Sequence, residues 1–307
     1  MLELDKDIKL FIFTVLTLMT VTWVIGYFLV KSFGDLLFLI LGIISMFYPL
    51  VSALIANKMM THRSLEELNV KPKIVFVLTP LLLSFIYPYL VIYVGALISS
   101  PFVPVDWLAS WVISEIRQAL RESTGIEFPV STIVLMLIIT HISATLINSF
   151  PAYGEEAGWR GFLWTRLRES YSLEKALIIL GVVWGVWHWP IYSVLYILME
   201  VPLYMQITLM LEFVAFTTGI SVFLVWLVEK THSVVYPTLA HGAINAGLSF
   251  GSYVVLVEDP RIGFVSGLIP IVAIWIIAIF CYISLRRSHR EKNHNSFLKI
   301  NKESNSV

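Results

Sequence analysis

Gly154-Glu155-Glu156-Ala157-Gly158-Trp159-Arg160 sets two adjacent carboxylates and a guanidinium between long apolar stretches. The chain around it has 307 residues, 58% of them hydrophobic and only 14% charged, with a mean hydropathy of +0.82. A soluble domain carries roughly 25% charged residues, so this composition belongs to an integral membrane protein. Acids and bases held at bilayer depth are costly, and they mark functional sites by default.

Outward from this stretch, eight segments approach the roughly 20 apolar residues that a membrane helix needs. They lie at roughly 8–30, 36–56, 76–98, 131–150, 176–199, 203–228, 234–257 and 263–285. The first is too long for a signal-peptide core and reads as a retained span. No run of short alternating strands is present, so the expected fold is all-α, a polytopic bundle of about eight membrane helices. Residues 1–285 form one integral-membrane domain, with its polar motifs between 131 and 257, and 286–307 read as a basic, disordered tail. Between the third and fourth spans, Val105, Leu108, Ala109, Val112, Ile113, Ile116 and Leu120 recur at helical spacing. Residues 104–120 are therefore expected to form an amphipathic helix lying in the interface.

Eight spans sort the 21 Lys and Arg into 17 on the side of the termini and four on the other, namely Lys31, Arg117, Arg121 and Arg261. The excess places both termini in the cytoplasm. The Glu155 motif falls on the basic side of its span, so the site is expected to open towards the cytoplasm. Membrane lipid and a peptide substrate are the expected partners, and nucleic acid is not one.

Glu156 and Arg160 stand four apart with the acid first, the better order for a helical ion pair. Glu155 points about 100° away from that pair and is the candidate base. Gly154 and Gly158 let a neighbouring helix approach closely. His188 lies between two tryptophans, ahead of Pro190, which bends a helix. His241 and Asn245 share one face of the seventh span. Imidazole and carboxamide together can hold a developing oxyanion, or they can act as polar glue between helices. Glu212 and His141 are two further polar residues within spans. Glu212 reads either as a partner of a catalytic histidine or as a neutral hydrogen-bonded acid.

Taken jointly, Glu155-Glu156-Ala157-Gly158-Trp159-Arg160, Trp184-Gly185-Val186-Trp187-His188 and His241-Gly242-Ala243-Ile244-Asn245 resemble the three motifs of the CPBP family of intramembrane proteases. That family includes the CAAX prenyl endopeptidases of the Rce1 type. Trp184 stands where the family pattern has Phe. The resemblance runs over roughly 131–257 and implies an eight-helix fold and a peptidase. It also implies that Glu155 activates water with His188, that His241 and Asn245 stabilise the oxyanion, and that Glu156 and Arg160 support them. The implied substrate is the C-terminal tripeptide of a prenylated CAAX-type protein.

No serine or cysteine sits in a nucleophile setting, so a covalent acyl-enzyme is not expected. The chain lacks His-Glu-x-x-His, and the expected cofactor is none. Glu155, His188 and His241 nonetheless make up a three-ligand set of the kind that binds catalytic zinc. Two readings of other classes stand beside the peptidase. One is a catalytically silent scaffold or bacteriocin-immunity-type protein. The other is a proton-coupled transporter, although no inverted repeat is seen.

Overall fold

The computed structural model describes residues 5–61, 77–263 and 267–304, without the side chains of residues 61 and 292–304. The bundle is built from α1 (Lys6–Phe33), α2 (Asp35–Ser45), α3 (Tyr48–Ala56), α4 (Leu78–Ser99), α5 (Ser110–Thr124) and α6 (Val130–Glu156). A π-helical stretch, Ala157–Leu163, leads into α7 (Trp164–Ser170), α8 (Leu173–Trp187), α9 (Trp189–Leu198), α10 (Leu203–Thr231) and α11 (Val235–Gly247). Then come α12 (Gly251–Val254) and α13 (Leu268–Ser304). Among the described residues, the one β-type pairing is an isolated antiparallel bridge between Val105 and Val255.

Among the described residues, seven helical segments are long and apolar enough to cross a membrane. They account for every expected span except 234–257. That segment is divided into α11, with 13 residues, a 3₁₀ turn at Leu248–Phe250 and the short α12. At about 1.5 Å per residue, α11 alone is too short to cross. The chain still passes from one end of the bundle to the other here, because Val255 pairs with Val105 beside the α4–α5 connection. Gly247 ends the regular helix where a side chain would not fit, since a Cβ there would lie 2.7 Å from His141 Cε1.

Two sequence expectations need correction. The amphipathic helix starts at Ser110, not near residue 104. Asp106 holds the preceding turn open by accepting from the backbone N–H groups of Leu108 and Trp111 and from the Ser110 hydroxyl. Val105, Leu108 and Ala109 therefore lie ahead of the helix, with Ala109 in the left-handed region at φ 47°. The tail after Leu285 is not irregular, because α13 runs on to Ser304. Arg, Lys and Glu are good helix formers, and extending an existing helix needs no new nucleus.

The ends of the bundle are chemically distinct. At one end, Arg166 in α7 reaches Asp7 at the start of α1 at 2.6 Å, and Lys230 at the end of α10 donates to Ser288 of α13. The first and last described helices are thus each tied to a neighbour at the basic end. Three of its expected cations, Arg63, Lys71 and Lys73, lie outside the described residues. The other end carries Asp106, α5 and the Asp259–Arg261 pair at 2.6 Å. Between the ends, α10 is the most enclosed span and acts as a central post. An aromatic chain through Phe11, Trp159 and Trp187 fills the core beside it, with ring centroids 5.3 and 5.8 Å apart.

Candidate active site

The motif helix reaches the interior because its small residues remove the barrier to approach. A Cβ on Gly154 would lie 2.7 Å from Met46 O, and one on Gly158 would overlap the backbone of Pro49. The α2–α3 junction packs into that notch. On the far side, Gly242 lets α11 lie against α6, where a Cβ would meet Thr145 O at 2.6 Å. Close approach on both sides seals Glu155, Glu156 and Arg160 from solvent; Glu155 is 2% exposed and the other two 0%.

Such burial demands compensation, because an unpaired charge in the interior is strongly destabilising. Arg160 Nη1 donates to Glu156 Oε1 at 2.9 Å, and Nη2 donates to Ser221 Oγ on α10 at 2.9 Å. The guanidinium also lies over the Trp184 ring, 4.1 Å from its centroid. Glu156 Oε1 is shared, since His241 Nδ1 also meets it at 2.7 Å. Bonding a carboxylate requires the proton on Nδ1, so His241 is held as a donor on that side and turns Nε2 away from Glu156. Glu156 is thus more than the partner of Arg160, because it also orients the histidine of another helix.

Glu155 is bound separately. Its Oε2 accepts from Trp184 Nε1 at 2.8 Å. His188 sits at the break between α8 and α9, with Pro190 in the first turn of α9. Its backbone N–H bonds Gly185 O at 3.1 Å, in the tighter turn pattern. Trp184 O is therefore left for the imidazole, whose Nδ1 lies 2.8 Å from it. A carbonyl can only accept, so Nδ1 carries the proton and the neutral ring presents Nε2 as a lone pair.

His188, His241 and Asn245 line one cavity of about 250 Å³, and Trp184, which binds Glu155, forms part of its wall. Asn245 is exposed within it. Sequence reading had grouped these polar residues but had not identified Ser221, Tyr192 or Phe213. Ser221 is one hydroxyl among many on α10 and carries no periodic signal. Tyr192 follows His188 by one turn, a spacing that could have drawn attention to it.

The cavity runs in a direction the sequence reading did not anticipate. Its further walls are Tyr192, Phe213, Leu248 and Ser249. Each lies closer to the end bearing α5 and Arg261 than do His188, Ser221 and His241 on the same helical passes. The buried Glu156–Arg160–His241 layer closes the basic side. Beyond it a separate hollow of about 180 Å³ is lined by Arg160, Trp164, Arg168 and Glu229, without His188 or Asn245. The cavity that holds the motif residues thus extends along these walls towards the end bearing α5 and Arg261.

The two residues set aside from the motifs lie apart from this layer. His141 Nε2 is 3.5 Å from Thr145 Oγ1, and its ring packs edge-on against Tyr89. Glu212 bonds no histidine, and its Oε2 is buried without a hydrogen-bond partner. Among the described residues, no three of His, Cys, Asp and Glu gather so as to hold a metal ion.

Residues 129–247 match the model of the family described as type II CAAX prenyl endopeptidase Rce1-like. The match begins within two residues of the resemblance drawn from the motifs and contains all three. A 40-residue stretch is 48% identical to a protein of Methanococcus maripaludis named CAAX prenyl protease 2. That stretch is 13% of this chain and 15% of the relative, so the chain spans only a small part of the length of the curated relative it matches.

Proposed function

We propose that this chain, Rce1-like over residues 129–247, is an intramembrane endopeptidase of the CAAX prenyl endopeptidase type. It hydrolyses a peptide bond at the membrane by glutamate-activated water. The observation that carries this reading is that His188, His241 and Asn245, from two motifs, line one cavity, while Glu155 of the third motif is bonded to Trp184 in its wall. Glu155 takes the proton from water, and the Nε2 lone pair of His188 orients that water for attack on the carbonyl. His241, held as an imidazolium by Glu156 on its Nδ1–H, donates its Nε2–H to the tetrahedral oxyanion together with the Asn245 amide. Glu155 then returns its proton to the leaving amine. Arg160 keeps Glu156 ionised and in place and touches no reacting atom.

No step in this scheme uses a metal, and both termini lie in the cytoplasm. A silent scaffold would have no need of three polar side chains lining a cavity beside a buried glutamate. The test is cleavage by purified protein of prenylated and unprenylated CAAX peptides, compared with Glu155→Gln. Wild-type turnover that falls by about 10³ or more in the variant, with the melting temperature unchanged, is the expected result. No cleavage of either peptide by folded wild-type protein would overturn the reading. Equal turnover by the variant would overturn the assignment of the base.

A further inference from the structure

The Glu212 carboxylate has no place in the proposed mechanism, and it stands one turn before the cavity-lining residue Phe216 on α10. Glu212, Phe216 and Ile220 follow one another four apart along α10, so they share a face. Phe216 and Ile220 both line the cavity. Glu212 is therefore one turn beyond these lining residues on that face, towards the end bearing Arg261. Its Oε2 is buried without a partner. Arg261 and Asp259 lie within electrostatic range of it, and they form a pair with each other through two side-chain hydrogen bonds, at 3.0 and 2.6 Å. Arg261 is thus committed to Asp259.

Tyrosines complete the setting. Tyr196 lies within electrostatic range of Glu212 and stacks on Tyr192 with ring centroids 5.7 Å apart. Tyr192 lines the cavity, packs on Phe213 at 4.6 Å and lies 6.2 Å from the His188 ring. A path of aromatic faces therefore runs from the mouth to the proposed base layer. An acid beside stacked electron-rich rings selects a cation, by ion pairing and by cation–π attraction. The wider end agrees in sign. Sorted by the same topology, nine acids face four bases there: Asp35, Asp106, Glu115, Glu122, Glu127, Glu200, Glu212, Glu258 and Asp259 against Lys31, Arg117, Arg121 and Arg261.

We infer that Glu212, with Tyr192 and Tyr196, forms a specificity subsite that reads a Lys or Arg side chain of the peptide entering this cavity. The inference rests on the peptidase reading for its setting, but its test separates the two. The full-length protein in detergent micelles is given three dansyl-labelled peptides, an apolar segment followed by Lys, norleucine or Glu. Binding by fluorescence anisotropy and cleavage are measured for wild type, Glu212→Gln and Glu212→Lys. The expected wild-type preference for Lys over norleucine is about tenfold in Kd and KM with kcat unchanged. It should weaken as salt is raised. Glu212→Gln should bind all three alike and cleave the norleucine peptide at the wild-type rate. Glu212→Lys should favour the Glu peptide. Equal wild-type binding of the three peptides overturns the subsite whether or not turnover is seen. Charge-selective binding without turnover supports the subsite and counts against the peptidase.

Discussion

A single hydrogen bond separates the two glutamates of the motif. Glu156 is shared by Arg160 and His241, whereas Glu155 accepts only an indole N–H among the bonds described. Replacing Trp184 by Phe keeps the ring and removes that donor. A hydrogen bond to a charged group is worth about 1.5–3 kcal/mol, so Trp184→Phe should lower kcat by about tenfold or more while the protein still folds. Arg160→Ala should act through stability, because it leaves Glu156 buried and unpaired at a cost of about 3–5 kcal/mol. Thermal melts and kcat measured on both variants separate the two effects. A fully active, destabilised Trp184→Phe would place the indole in packing alone. The Glu156–Arg160 pair was legible in the sequence because helical spacing fixes it. The bond from Glu156 to His241 was not, because it joins residues 85 positions apart, and no local pattern encodes it.

At the level of elements, the site depends on helices that touch backbone to backbone. Gly158 faces Pro49 with no room for a methyl group, whereas Gly42, also in a helix, has only Ile191 Cδ1 nearby, at 3.9 Å. Gly158→Ala should therefore destabilise the bundle by about 1–3 kcal/mol and move Glu155 relative to Trp184. Gly42→Ala should be neutral or slightly stabilising, since Ala suits a helix better than Gly. Paired melting curves check the contrast, and equal shifts for the two would dismiss close packing as the cause. Apolar length made the spans readable in sequence. It could not show that the seventh span breaks at Gly247, because 234–257 carries no Asp, Glu, Lys or Arg and the break arises where His141 of α6 approaches. The start of α5 was misjudged for a related reason. Hydrophobic spacing continues through Val105 and Leu108, but the hydrogen bonds of Asp106 fix that backbone in a turn.

Across the whole molecule, charge and cavity point to opposite ends. The basic end, where Arg166 meets Asp7, is the end that the positive-inside rule assigns to the cytoplasm. The cavity holding His188 and Asn245 continues past Leu248 and Ser249 towards the other end. A peptide presented from the non-cytoplasmic side, or entering from the outer half of the bilayer, would therefore reach Glu155 without crossing the Glu156–Arg160 layer. A cysteine-free background made with Cys281→Ser allows a direct test, as Cys281 is the chain's one cysteine. Single cysteines at Lys6, Ser123 and Ser249, all exposed, are labelled in intact cells with a membrane-impermeant maleimide. Lys6→Cys should label only after the membrane is opened. Ser123→Cys and Ser249→Cys should label from outside, the latter more slowly because it lies within the cavity. Labelling of Lys6→Cys from outside would invert the orientation and return the cavity, with its acidic mouth, to the cytoplasm. Labelling of Ser249→Cys only from the side of Lys6→Cys would mean that solvent reaches the site through the basic end, contrary to the run of the cavity walls.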